Sequence, residues 1–305
     1  MTPDARAKIA EIYIRQNRLI DSRIRPRIKT LIAEAVSPFY LFVESLDFLD
    51  VANSTNPCDG LLITLTKRMY EAASGILSLL AIGRLQQAEV LSRTLMESSL
   101  SLLFIAKDDT AERLVQYFES YIRNEEAQNR KWKQELEAVP SPWREEHLGR
   151  INEKSASLNS YKSFIESFAS AISTPYPAKK GWPKFYDLCS ALDKGVDYRT
   201  VYMAMCSQAH SDAEDILNFL MVESVQGIGG LSAKLERETG NFSIYISILS
   251  LRYYLECLEY IAARFGSGAA AEQASRSLIE LTELAEQVRA GGFVENDLGA
   301  WLEKT

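Results

Sequence analysis

The chain has almost no strand signal. Period-two alternation of β-branched and aromatic residues between turn clusters is nearly missing from its 305 residues, which excludes a sheet-built fold. Long apolar runs are missing too. The longest, 75-GILSLLAIG-83 and 99-SLSLLFIA-106, fall short of the roughly 18 to 20 residues that cross a bilayer. The N-terminus, 1-MTPDARAKIAEIYIRQ-16, places charges every few residues where a signal peptide has an unbroken apolar core, so the expectation is a soluble cytoplasmic protein without a membrane partner. Cysteine is scarce: Cys58, Cys189, Cys206 and Cys257 form no CxxC pair and read as reduced and mostly buried. Histidine is scarcer still, with His147 and His210 alone. There is no HExxH pair, no GxxxxGK[ST] loop and no repeat of 20 to 50 residues.

What is present is helical periodicity over ordinary globular composition, 47% hydrophobic and 25% charged. Net charge is −7, unevenly placed: residues 1–30 hold eight bases and three acids, leaving 26 bases and 38 acids for the rest. A basic arm precedes an acidic body. That arm reads either as a nucleic-acid or acidic-partner contact or as a solvated face docked on an acidic neighbour. Residues 4–35 read as one long amphipathic helix with Pro26 as kink or break, and Ser37-Pro38 reads as a second helix start. Polar 52-ANSTNPCDG-60 reads as a loop. Helices are expected at 61–82, 84–106, 110–138, 143–172, 183–192, 198–223, 231–265, 268–290 and 294–303, with 173-STPYPAKKGWP-183 as the longest irregular connection. The fold class is all-α: a multi-helix bundle of antiparallel helical hairpins with a long amphipathic N-terminal helix, divided into 1–35, a core at 36–265 and a C-terminal appendage at 266–305.

Two places carry chemistry. On the apolar helix 84-RLQQAEVLSRTLMESSLSLLFIAK-107, Arg93 and Glu97 lie four apart and share a face. Removing charge from water costs several kcal/mol unless it is paired. The pair is therefore either an internal ion pair that fixes helix register or an anion-binding arginine oriented by a carboxylate. In 205-MCSQAHSDAEDIL-217, helical spacing puts Met203, Cys206, His210, Leu217 and Met221 on one stripe, with Ser207 and Glu214 at its edge. A Ser207–His210–Glu214 triad lacks a nucleophile turn and an oxyanion site. Cys206, His210 and Glu214 offer three ligands without the further Cys/His cluster that zinc sites draw on. A plain hydrogen-bonded histidine takes the largest share. Arg113, Tyr117 and Tyr121, followed by Arg123, Arg130 and Lys131, form either a stacking and phosphate face or a core stripe. Gly227, Gly229 and Gly230 read as a helix joint, and His147 as surface.

Taken in order, 92-SRTLMESSLSLLFIAKD-108, 182-WPKFYDLCSAL-192 and 202-YMAMCSQAH-210 resemble the bacterial domain-of-unknown-function family 5677 over roughly residues 60–225. The resemblance implies an all-helical protein in which Arg93, Glu97 and His210 meet in one pocket with Tyr202 and Ser207 nearby. Family-like sequences often carry Gly after the histidine, whereas this chain carries Ser211. The helical ribonucleases of the HEPN type are a second comparison: they place four to six residues between an Arg and the His that follows it. Here the nearest upstream arginine of His210 is Arg199, with ten residues between, and the local motif is absent. The expectation is thus a noncatalytic sensor or interaction protein of a bacterial stress or phage-defence system. It carries the polar pocket Arg93, Glu97 and His210, with Tyr202, Ser207, Glu214, Arg113 and Tyr117 as further binding positions. The alternative is a metal-independent ribonuclease or phosphoesterase with His210 as general acid/base, Arg93 holding phosphate and Glu97 orienting Arg93. No cofactor or metal is expected. A protein partner or self-association is, and nucleic acid is a further partner through the basic N-terminal helix.

Overall fold

A computed structural model describes residues 1–46, 57–108, 110–209 and 231–290. Its helices are α1 (Pro3–Gln16), α2 (Pro26–Ser45), α3 (Pro57–Ala81), α4 (Leu85–Lys107), α5 (Thr110–Glu135), α6 (Trp143–Ala171), α7 (Phe185–Ala191), α8 (Met203–Ala209), α9 (Leu231–Arg264) and α10 (Gly268–Arg289). Among the described residues there is no strand. The all-α class is as expected, and no described helix is long and apolar enough to cross a membrane. The expected helix at 294–303 and the joint at Gly227, Gly229 and Gly230 lie outside the described residues.

The expected N-terminal helix is divided. α1 stops at Gln16 because Arg18 takes a left-handed φ of 56°, and the Leu19 N–H turns back to the Ile14 carbonyl at 2.9 Å. This is the wrapped helix end that satisfies orphan carbonyls. A short 3₁₀ turn (Asp21–Arg23) and an extended pair, Ile24 and Arg25, lead to Pro26 at the first position of α2, where its missing N–H costs nothing. Ser37-Pro38 is not a helix start: α2 runs through it, and the Ser37 hydroxyl donates to the Ala33 carbonyl at 2.6 Å. Ser37 and Pro38 are both buried, as are Leu31, Ile32 and Val36. Burial of this whole turn outweighs the proline's roughly 3 kcal/mol helix penalty. Residues 57–60, expected within a loop, form the first turn of α3.

The chain divides into two compact units, one of residues 1–51, 63–103 and 185–305 and one of 52–62 and 104–184. In the first, α2 packs on α1, α9 and α10, and α9 packs on α10. Tyr254 and Leu255 of α9 are fully buried there, as are Ile76 and Leu77 of α3 and Leu95 and Met96 of α4. Gly83, at φ 76°, makes the tight turn between α3 and α4 that a side chain with a Cβ resists. Buried Glu34 accepts hydrogen bonds from Arg6 and, at 2.7 Å, from the Ser277 hydroxyl, tying α1, α2 and α10 through one carboxylate. In the second unit α5 and α6 run antiparallel: Tyr121 meets Tyr161, Asn129 meets Ser155 and Trp132 meets His147. His147 is therefore half-buried against Trp132, not a surface residue as its charged neighbours suggest.

Candidate functional site

Arg93 and Glu97 lie one turn apart on α4, whose residues from Leu95 to Ala106 are all buried or half-buried. Their own side chains keep 27% and 39% exposure, so this pair sits at the rim of the apolar helix, in reach of water. The Arg93 Nε–H donates to Glu97 Oε1 at 3.0 Å. Arg93 Nη2 donates to the Tyr202 hydroxyl at 3.2 Å, and that hydroxyl donates to the same Glu97 Oε1 at 2.5 Å. The three side chains close a ring of hydrogen bonds between residues more than a hundred positions apart. The guanidinium also lies over the Tyr202 ring, 5.4 Å from its centroid.

The segment that brings Tyr202 to α4 is not a plain helix. A helical turn at Gly195–Asp197 passes into a π-helical turn, Tyr198–Tyr202, closed by the Met203 N–H on the Tyr198 carbonyl, before α8 begins. Single π turns are uncommon and recur at functional sites. This one stacks Tyr198 on Tyr202 with centroids 5.1 Å apart. Phe185 of α7 closes on Tyr202 at 4.5 Å, and Tyr186 meets Tyr198 edge-on at 5.2 Å. Arg199 lies over Tyr186 at 4.9 Å, so the rings are flanked by an arginine at each end. A second polar tie holds the same segment to α9: Lys194 pairs with Glu256 at 2.8 Å and lies over the Tyr253 ring.

The electrostatics fix protonation states. Burial raises the Tyr202 pKa most, followed by its bond to Glu97 and the Glu97 charge, so the phenol stays protonated and acts as a donor. Burial pulls the Arg93 pKa down, but its bond to Glu97 and the neighbouring Tyr202 outweigh this and leave it raised. Tyr253, buried beside Asp197, is likewise held as a neutral phenol.

Of the positions expected from sequence, Arg93, Glu97 and Tyr202 come together. Ser207 belongs to α8, while His210 and Glu214 lie outside the described residues. Arg113 and Tyr117 belong to the other compact unit, where each is occupied locally. Arg113 donates to the Phe104 carbonyl at the end of α4 and lies 3.9 Å over the Phe104 ring. Tyr117 packs edge-on against Trp182 at 5.1 Å. Phe185, Tyr198 and Arg199 were not anticipated. The i+4 spacing of Tyr198 and Tyr202 was the available signal.

The described residues hold no group of three or more His, Cys, Asp or Glu side chains that could bind a metal ion. The four cysteines are free thiols, three of them buried and Cys206 half-buried. No curated protein and no solved structure matches the chain. A family model does match residues 59–228, more than half of the sequence, over a span that contains Arg93, Glu97, Tyr202 and His210. The chain belongs to the Family of unknown function (DUF5677).

Proposed function

We propose that the protein is a noncatalytic helical interaction protein in which Arg93, Glu97 and Tyr202 clasp the 185–209 segment to α4 and hold its outer face in shape for a partner. The observation that carries this reading is the closed ring. Glu97 Oε1 receives both the arginine Nε–H and the tyrosine hydroxyl, and the hydroxyl accepts from the same arginine. Donors turned inward on one another set helix register; a phosphate-holding arginine presents them outward. The clasped segment in turn exposes Tyr186 (40%), Met203 (46%) and Val196 (75%), with exposed Arg199 over Tyr186. Tyr, Met and Arg are the residue types enriched at the centres of protein interfaces.

The discriminating experiment is incubation of the folded full-length protein with labelled single-stranded and duplex RNA in EDTA. The expected result is no cleavage above a buffer control. Cleavage that disappears in a folded His210→Ala variant would instead establish the metal-independent ribonuclease.

A further inference from the structure

The basic arm has a shape that sequence could not show. The sharp end of α1 and the start of α2 gather Arg15, Arg18, Arg23 and Arg25 within the 16–25 joint and its edge. Arg15, Arg18 and Arg23 are exposed and Arg25 half-exposed, and none takes part in an ion pair among the described residues. The one acid of the joint, Asp21, is already held by Lys29 at 2.8 Å. Where the 3₁₀ turn passes into the extended pair, Ile24 enters the core at 6% exposure, while Arg23 before it and Arg25 after it stay outside the core. Both line one small hollow of about 20 Å³ that is closed by Leu80, Gly83 and Leu85. Across the extended Ile24 the Cα atoms of Arg23 and Arg25 stand roughly 6.5 Å apart, which makes a strip of like charge and not a point.

We propose that this strip binds the phosphate backbone of a nucleic-acid duplex without reading sequence. Three observations choose that occupant. First, the strip is arginine without an ion pair among the described residues, and arginine is the residue that fits phosphate in a fork. Although the chain is net −7, screening within about 8 to 10 Å lets the local +4 dominate at contact. Second, residues 15–29 contain no aromatic side chain, and the half-buried Tyr40 that donates to Gln16 at 2.6 Å brings a single ring and not a row of stacking platforms. A single strand needs stacking platforms, whereas a duplex is held by backbone contacts alone. Third, a lipid surface needs a broad apolar face to insert, and of the joint's apolar residues Ile24 is buried, Leu19 half-buried and Ile20 alone exposed, at 53%. This inference stands apart from the Arg93 clasp, and neither depends on the other.

The test is fluorescence anisotropy of the full-length protein with labelled 20-base-pair DNA and RNA duplexes, matched single strands, poly-glutamate as competitor and phosphatidylserine vesicles. Four phosphate contacts give a log–log salt slope near −3.6 on B-DNA, or on the order of a hundredfold weaker binding between 50 and 200 mM salt. Joint replacement of Arg15, Arg18, Arg23 and Arg25 by Gln should abolish most of that slope while leaving the circular-dichroism spectrum unchanged. The pairs R15Q/R18Q and R23Q/R25Q should each remove about half, which keeps the test decisive if the fourfold variant does not fold. Absence of duplex binding at 50 mM salt would overturn the proposal. So would an unchanged slope in the variants, tighter binding to single strands, equal displacement by poly-glutamate at equal charge, or binding to vesicles alone. The relative affinity for DNA and RNA identifies which duplex the strip prefers.

Discussion

Replacing Tyr202 by Phe removes one oxygen and leaves the ring stack on Tyr198 and Phe185 in place. That oxygen donates to Glu97 at 2.5 Å and accepts from Arg93 at 3.2 Å. A hydrogen bond to a charged group contributes about 1.5 to 3 kcal/mol when dry. Here Glu97 and Arg93 keep 39% and 27% exposure, so water replaces part of what is lost. The expected cost is about 1.5 kcal/mol, and Glu97→Gln, which weakens the same contact and the arginine pair, should cost a similar amount. Since both variants act on one shared bond, which Tyr202→Phe removes and Glu97→Gln weakens, the double variant should cost about 1 kcal/mol less than the sum. Urea titrations of the four proteins followed by circular dichroism measure this coupling. Additivity within about 0.3 kcal/mol would refute the ring as an energetic unit.

Other consequences follow from buried groups. Glu34→Ala leaves Arg6 and Ser277 facing an empty acceptor position and should cost about 3 kcal/mol, at the low end for a broken buried pair because Arg6 is 21% exposed; a loss under 1 kcal/mol in urea would contradict the network. Burial first, then Asp197, pushes the Cys189 thiol up to about 11, and burial holds Cys257 higher still. The unfolded thiols ionise near the ordinary value and the folded ones do not. Their stabilisation is therefore complete below about pH 8.5 and declines as pH rises toward 11, by about 1.4 kcal/mol per pH unit for each thiol. Cys189→Ala should flatten that slope in urea titrations between pH 8 and 10.5, and a slope equal to wild type would exclude the thiol as its source. In the native protein half-buried Cys206 should react with iodoacetamide before Cys189 and Cys257.

The helices were legible because apolar residues recur at helical spacing, and their ends were legible where glycine marks them. Five helices end alike, with an N–H returning five residues: Leu19 to Ile14, Arg84 to Leu79, Thr174 to Ala169, Lys194 to Cys189 and Ser267 to Ala262. The left-handed residue is glycine only at Gly83 and Gly266, and those two stops were read correctly. At Arg18, Ser173 and Asp193 the same turn is made by residues with a Cβ. The end of α1 at Arg18 therefore left no mark in the sequence, whereas Pro26, the expected kink or break, is where α2 begins. Pro38 misled in the opposite sense, because a helix packed on every side keeps a proline that an exposed one would not. At the site, Arg93 and Glu97 stood out as charge on an apolar helix, and Tyr202 came through family resemblance. The π turn was illegible, since an extra residue per turn depends on what the surrounding side chains meet in space. Phe185, Tyr198 and Arg199 went unseen with it.

Amide hydrogen exchange across residues 185–206 in the native protein and in Glu97→Gln tests the clasp most directly. If Arg93, Glu97 and Tyr202 hold this segment to α4, the substitution should speed exchange there roughly tenfold, the equivalent of about 1.4 kcal/mol of local stability, and leave α2 and α10 unchanged. Equal exchange in the two proteins across 185–206 would contradict the clasp and the function built on it.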